Sequence, residues 1–293
     1  MIGLPSDLVG FGTWYRSSRF GMLDFDVSVH TDDDSLANLI DELYEPLRCD
    51  GRSEDVLTIG RAGHPEHPHY FVGLNERIVI RTPAPSIAFT HLIFTANQCA
   101  IERTSNCVRI HAAAAIVHGV TVVIPGGMGA GKSTLVAGLT ADGHRYVTDE
   151  VVAFEADSVM VRPYARPFSL GAVPEALPAG RFVASPTVHR YLGTSGIFPA
   201  GAFGTPADEP SPVGLVVLSQ YEPDAPTTVT DLSQIESFVA VASHTFHLDE
   251  PGTLNSLQSI LGTVPTFRLV SGDLTEAVDA VVELARSVAS VSQ

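Results

Sequence analysis

The chain has 293 residues, 45% of them hydrophobic and 17% charged, enough for one large or two modest domains with ample core. Its formal net charge of −16 argues against a nucleic-acid surface or an anionic membrane as a partner, because both would repel it. No run of about 18 apolar residues suggests a membrane span. The first twelve residues, MIGLPSDLVGFG, lack a basic start and a continuous apolar stretch, so no signal peptide is expected. Cys49, Cys99 and Cys107 have no metal-ligand spacing and cannot all pair within one chain, which makes a reducing cytoplasm the expected setting.

In chain order, residues 1–84 read as a small N-terminal α/β domain. FDVSVH (25–30) alternates like a strand, SLANLIDELYEPL (35–47) has helical spacing after an acidic capping run, and HYFVGLNERIVIRT (69–82) predicts a hairpin turning at LNE. TPAPS (82–86) breaks the pattern, and the next eighteen residues predict an amphipathic helix leading into a second domain, 85–293. From about residue 106 the order is strand, glycine loop, helix, strand. The helix is expected to end near Gly143, and HRYVTDEVVAFEADSVMVRPY to form two strands meeting at EADS. Residues 171–212, rich in Gly, Pro and Ala, predict a flexible lid or substrate loop. VGLVVLSQY (213–221) reads as a buried strand and TEAVDAVVELARSV (275–288) as a closing helix; there is no internal repeat.

The glycine loop carries the strongest chemical signal. VIPGGMGAGKSTLVAGL (123–139) fits G-x-x-x-x-G-K-[ST] between an apolar strand and a helical pattern. Gly126, Gly127, Met128, Gly129, Ala130, Gly131, Lys132, Ser133 and Thr134 are its expected phosphate-binding residues. Glycines let the backbone N–H groups face phosphate oxygens, the helix N-terminus adds positive dipole, and a flexible ammonium reaches the β and γ phosphates. Lys132 is the one lysine beside sixteen arginines, as expected where a planar guanidinium would crowd the loop.

One helix and one turn later come Asp149 and Glu150. A carboxylate beside such a loop can hold Mg²⁺ or accept the proton of an attacking hydroxyl. Regular alternation would aim only one of the two at the site, whereas a strand end or bulge would admit both. Upstream, His111 opens an apolar strand, a position more often filled by a packed histidine than by a catalyst.

These residues carry a resemblance. IHAAAA, PGGMGAGKSTL, DGHRYVTDEVV and VRPYARPFSL resemble the kinase domain of the HPr kinase/phosphorylase superfamily, and within it the HPr-kinase-like enzymes found with lasso-peptide and related peptide-biosynthesis systems. The likeness spans about residues 85–290 and is specific across 107–170. It implies a phosphoenolpyruvate-carboxykinase-like P-loop kinase core. ATP and Mg²⁺ would be its cofactors, a peptide or protein serine its acceptor and a homo-oligomer its assembly. It further implies that Lys132 and Ser133 serve phosphate and Mg²⁺, that Asp149 is the general base coupled to His111, that Glu150 assists Asp149 at the metal, and that Arg166 contacts phosphate or substrate. The chain departs from HPr kinases proper in having Thr134 where they carry Glu, an Asp-Glu pair in place of two aspartates, and no later arginine-glycine signature. Their carbohydrate-signalling role and reverse reaction are therefore not carried over. A nucleotide-binding regulatory module and a small-metabolite kinase remain open beside the peptide kinase.

Two further clusters read as ordinary surface. His64, His67 and His69 are separated by prolines, and His244, His247, Asp249 and Glu250 form one short polar stretch whose spacing only loosely suits a metal. Arg181 and Arg190 stand in the 171–212 segment as potential partners of phosphate or acidic groups.

Overall fold

The computed structural model describes residues 13–64, 66–155, 158–171, 173–177, 186–193 and 196–291. They fall into two compact units, one drawn from Met1–Ser105 and Phe182–Pro199, the other from Asn106–Arg181 and Ala200–Gln293. The division does not follow the expected 84/85 boundary.

The first unit holds strands β1 (Tyr15–Met22) and β2 (Phe25–Thr31), helix α1 (Asp34–Leu43), strands β3 (Arg48–Cys49), β4 (Asp55–His64), β5 (His67–Leu74) and β6 (Arg77–Thr82), and helix α2 (Pro85–Arg103). They build one sheet of order β3-β1-β2-β4-β5-β6, with β2 and β4 parallel. Asp33 caps α1, accepting from the Leu36 N–H, and Leu36, Leu39, Ile40 and Leu43 repeat at the spacing that buries one helical face. The β5–β6 hairpin turns at Asn75, whose φ of 53° suits asparagine. β1 and β4 are strands that the sequence reading passed over. The histidine loop expected at 63–70 is instead the hairpin end of β4 and β5, with His64 paired to His67.

Helix α2 stays with this unit because one face buries Ala88, Phe89, Leu92, Ala96 and Ala100. The short helix α4 (Pro186–Tyr191), in the expected lid, joins it too: the Tyr191 hydroxyl donates to Asp33 Oδ2 at 3.1 Å, and its ring meets Tyr70 edge-on. Arg190 also reaches Asp33, at 3.4 Å. Arg181 lies outside the described residues.

The second unit comprises β7 (Cys107–Val117), β8 (Val120–Pro125), α3 (Lys132–Ala141), β9 (Arg145–Thr148), β10 (Val151–Glu155), β11 (Met160–Arg162), β12 (Phe168–Leu170), β14 (Ser211–Tyr221), β15 (Thr228–Asp231), α5 (Gln234–Ala242), α6 (Thr253–Leu261), β16 (Thr266–Ser271) and α7 (Leu274–Val291); β13 (Gly196–Phe198) belongs to the first. The sheet order is β11-β10-β7-β8-β14-β16-β15, with β9 also on β7 and β11 touching β14. β8, β14 and β16 are parallel neighbours, so their carboxyl ends share an edge.

Helices α3 and α7 pack together on one face of this sheet. Residues of α5 and α6, among them Val241, Leu257 and Ile260, close the other over Ile110, Ala112, Ala114 and Val123. Helix α3 ends where expected: Gly143, at φ 96°, donates to Thr140 O, and the His144 N–H closes back on Leu139 O at 3.1 Å. The 200–210 stretch lies against α3, because Gly204 has no side chain. A Cβ there would stand 2.5 Å from the Thr140 carbonyl oxygen. Gly204→Ala is expected to cost about 1–3 kcal/mol of stability, read as a lower urea midpoint, whereas Gly127→Ala, which meets open space, leaves the midpoint near that of the wild type.

Candidate functional site

The P-loop sits between the end of β8 and the start of α3. Gly129 and Gly131 adopt φ of 82° and 87°, the left-handed conformation that side chains resist. At Gly126 an added Cβ would lie 3.0 Å from the Ala130 Cβ and 3.5 Å from the Lys132 chain. Lys132 is buried, and its Nζ donates to the Gly127 carbonyl at 3.0 Å. Burial lowers its pKa, and the Glu150 and Asp149 carboxylates oppose that shift. At the apex Met128 is fully exposed.

The acidic pair falls where β9 stops and β10 starts, and the bend sends the two side chains to different surroundings. Asp149 is inside. Its side chain has 0% exposure; Oδ1 receives the Arg166 guanidinium and the Tyr146 hydroxyl, each at 3.1 Å, and Oδ2 receives the Ser169 backbone N–H at 3.0 Å. The Tyr146 hydroxyl is also 3.1 Å from the Arg166 carbonyl oxygen. Burial first, then the Asp149 charge, hold that phenol protonated. Arg166 is itself buried; burial is the largest single influence and lowers its pKa, but Asp149, with Tyr164, Glu150 and Tyr146 adding to it, carries the pKa above the ordinary value.

Glu150 is the open member of the pair, with 36% of its side chain exposed. One oxygen stands 3.5 Å from Arg166, the other 3.8 Å from His111 Nε2. His111 lies opposite Val151 on β7. Burial and the Lys132 charge push its pKa below the usual histidine value, with Glu150 pulling the other way, so the imidazole is neutral at pH 7 and able to accept a proton. Lys132, Ser133, Asp149, Glu150, Arg166 and His111 thus gather around one loop. The exposed carboxylate is the second acid, while the first is fully engaged with protein donors. The physical cause of that difference is the buried Arg166.

His244, which the sequence reads as ordinary surface, joins them. β8 ends at Pro125 opposite Ala112, and beyond that point residues 244–246 take its place along β7. His111 N–H donates to the His244 carbonyl at 2.7 Å, and Phe246 N–H to the Arg109 carbonyl at 2.8 Å. The His244 imidazole has its pKa lowered by burial and then by the Lys132 charge. Arg109 pins the same segment through Glu250 at 2.8 Å. The 243–250 stretch is therefore held along β7 next to His111.

The residues fit Mg²⁺ delivered with a nucleotide. That ion retains waters and phosphate oxygens and takes only one or two protein ligands, a demand Ser133 and Glu150 can meet. Among the described residues no group of three or more His, Cys, Asp or Glu side chains forms a metal cage, the 243–250 stretch included, and no helix is long and apolar enough to cross a membrane.

No family model matches the chain, and no curated protein matches it. Among solved structures, the HPr(Ser) kinase/phosphatase from Coxiella burnetii is similar over 61% of this chain and 94% of that one, at 15% sequence identity and a TM-score of 0.34. A likeness at that score carries no functional weight, so the reading below rests on the site itself.

Removing one partner of a buried ion pair strands the other charge, at about 3–5 kcal/mol. Asp149→Ala is expected to lower unfolding stability by that amount in urea titrations, and Glu150→Gln, at a partly exposed position, by under about 1 kcal/mol. Equal losses at the two positions would contradict the division of labour described here.

Proposed function

We propose that this chain is an ATP- and Mg²⁺-dependent kinase that transfers the γ-phosphoryl group to a hydroxyl, that of a serine in a peptide or protein. The observation that carries the reading is the buried P-loop lysine, Lys132, facing an accessible Glu150–His111 couple. A binding module needs the loop alone, whereas a kinase also needs a group to take the acceptor's proton. The peptide acceptor, the phosphoenolpyruvate-carboxykinase-like core and the kinship with peptide-biosynthesis kinases are supported by the sequence motifs at 107–170. Assembly into a homo-oligomer belongs to the same proposal.

In the proposed reaction the acceptor oxygen bonds to the γ-phosphorus as the bond to the β–γ bridging oxygen breaks, and ADP leaves. The acceptor's proton passes to the neutral His111 imidazole, and the nearby Glu150 carboxylate stabilises the imidazolium that forms. Asp149, expected from sequence to be the base, here holds Arg166 in position so that its guanidinium supports Glu150. Loop N–H groups and Lys132 draw the phosphate oxygens in place. Mg²⁺, held by Ser133 and Glu150, would supply neutralising charge on the β and γ oxygens.

Intact-mass analysis of candidate acceptor peptides with ATP and Mg²⁺ is expected to show a gain of roughly 80 Da per phosphoryl group, absent with Lys132→Ala. His111→Ala and Glu150→Gln are expected to slow transfer by about 10²–10⁴-fold while nucleotide affinity stays within a few-fold. Nucleotide binding without transfer to any peptide or small hydroxyl compound would make the chain a regulatory module instead, and transfer to a small hydroxyl compound alone would make it a metabolite kinase.

A further inference from the structure

The γ end of the site lies on one flank of the P-loop strand. His111 and Glu150 belong to β7 and the β9–β10 bend, and β7 borders β8 on one side. The opposite neighbour of β8 is β14. Register pairs Val216 with Val123, so β14 runs about three residues past the end of β8 at Pro125 and its last residue, Tyr221, stands alongside the loop. Side-chain direction follows from the two-residue repeat of a strand. Ser219 points at the loop, its hydroxyl donating to the Ala130 carbonyl at 3.0 Å, and Tyr221 shares that face. Its Cβ is 3.3 Å from where a Gly131 Cβ would be. Yet the Tyr221 side chain is not consumed in packing, since the residue is 56% exposed.

The backbone beneath it is firmly held. Tyr221 pairs with Ser271 of β16, the Glu222 N–H donates to the Ser271 carbonyl, and the following turn closes over Gly272, where a Cβ would lie 2.7 Å from Asp224 N and Glu222 O. A large aromatic face, half in solvent and fixed beside the loop on the flank away from the transfer groups, suits a flat apolar ring attached to the phosphates at their α end.

We infer that Tyr221 is the platform on which the base of the bound nucleotide stacks, so that it sets nucleotide affinity without taking part in transfer. The inference rests on the kinase reading for the presence of a nucleotide. Stacking reads the π-face common to all bases, so this contact favours purine nucleotides over bare phosphate and discriminates weakly between ATP and GTP.

Calorimetric titration with ATP, GTP and inorganic tripolyphosphate, each with Mg²⁺, tests it on the full chain. Tyr221→Ala is expected to weaken ATP and GTP binding by about 5- to 150-fold and to leave tripolyphosphate affinity unchanged, while Tyr221→Phe retains wild-type affinity for all three. Unchanged ATP affinity in Tyr221→Ala, or a parallel loss of tripolyphosphate affinity, overturns the inference; the second result would mean that Tyr221 merely shapes the loop. Wild-type chain that binds tripolyphosphate as tightly as ATP also overturns it, with the phosphate site intact. Failure of the wild type to bind either overturns the nucleotide reading as well.

Discussion

A carboxylate removed from water must be compensated, and around Asp149 the compensation is complete: a guanidinium, a phenol hydroxyl and a backbone N–H share its two oxygens. Those donors come from Arg166, from Tyr146 and from Ser169, so one buried charge ties β9 to strand β12 and the segment leading into it. The bond network also fixes Arg166, which is then available to Glu150 from the inner side. If the pair were broken, Glu150 would lose the cation that holds it beside His111. The geometry of the open acid thus depends on the closed one.

The P-loop has its own local causes. Glycines at 129 and 131 take up left-handed backbone, and α3 begins at Lys132 with its free N–H groups turned toward the loop. Burial lowers the lysine's affinity for its proton, and the two carboxylates nearby restore part of it. The charge on Lys132 is therefore supported by neighbours 17 and 18 residues further along the chain. With a net charge of −16, the protein as a whole repels anions, so the proposed nucleotide would depend on this local cluster of Lys132, Arg166 and loop dipoles to overcome that field.

Much of this could be read from sequence because the signals are local. The loop, its flanking strand and helix, the cap at Gly143, the hairpin at Asn75 and the strand ending at Tyr221 each depend on residues within a turn or two. What could not be read depends on distant partners. Nothing in VTDEVV says that Asp149 turns inward, since the bend between β9 and β10 breaks the alternation and the deciding cation is Arg166. His244 reaches the site only because β8 ends early and leaves a free flank on β7, a pairing between residues more than 130 apart. Helix α2 looked like an entrance to the second unit for the same reason: its apolar face does not reveal which sheet it covers.

In the proposed kinase the inner acid, Asp149, organises the site and the outer one, Glu150, works in it. A crystal structure with a non-hydrolysable ATP analogue and Mg²⁺ tests this most directly. The expected structure has the γ-phosphate between Lys132 and the Glu150–His111 couple, with Asp149 still bonded to Arg166, Tyr146 and Ser169. A structure in which Asp149 has left Arg166 to meet the γ-phosphate or its metal, with Glu150 turned to solvent, would contradict it.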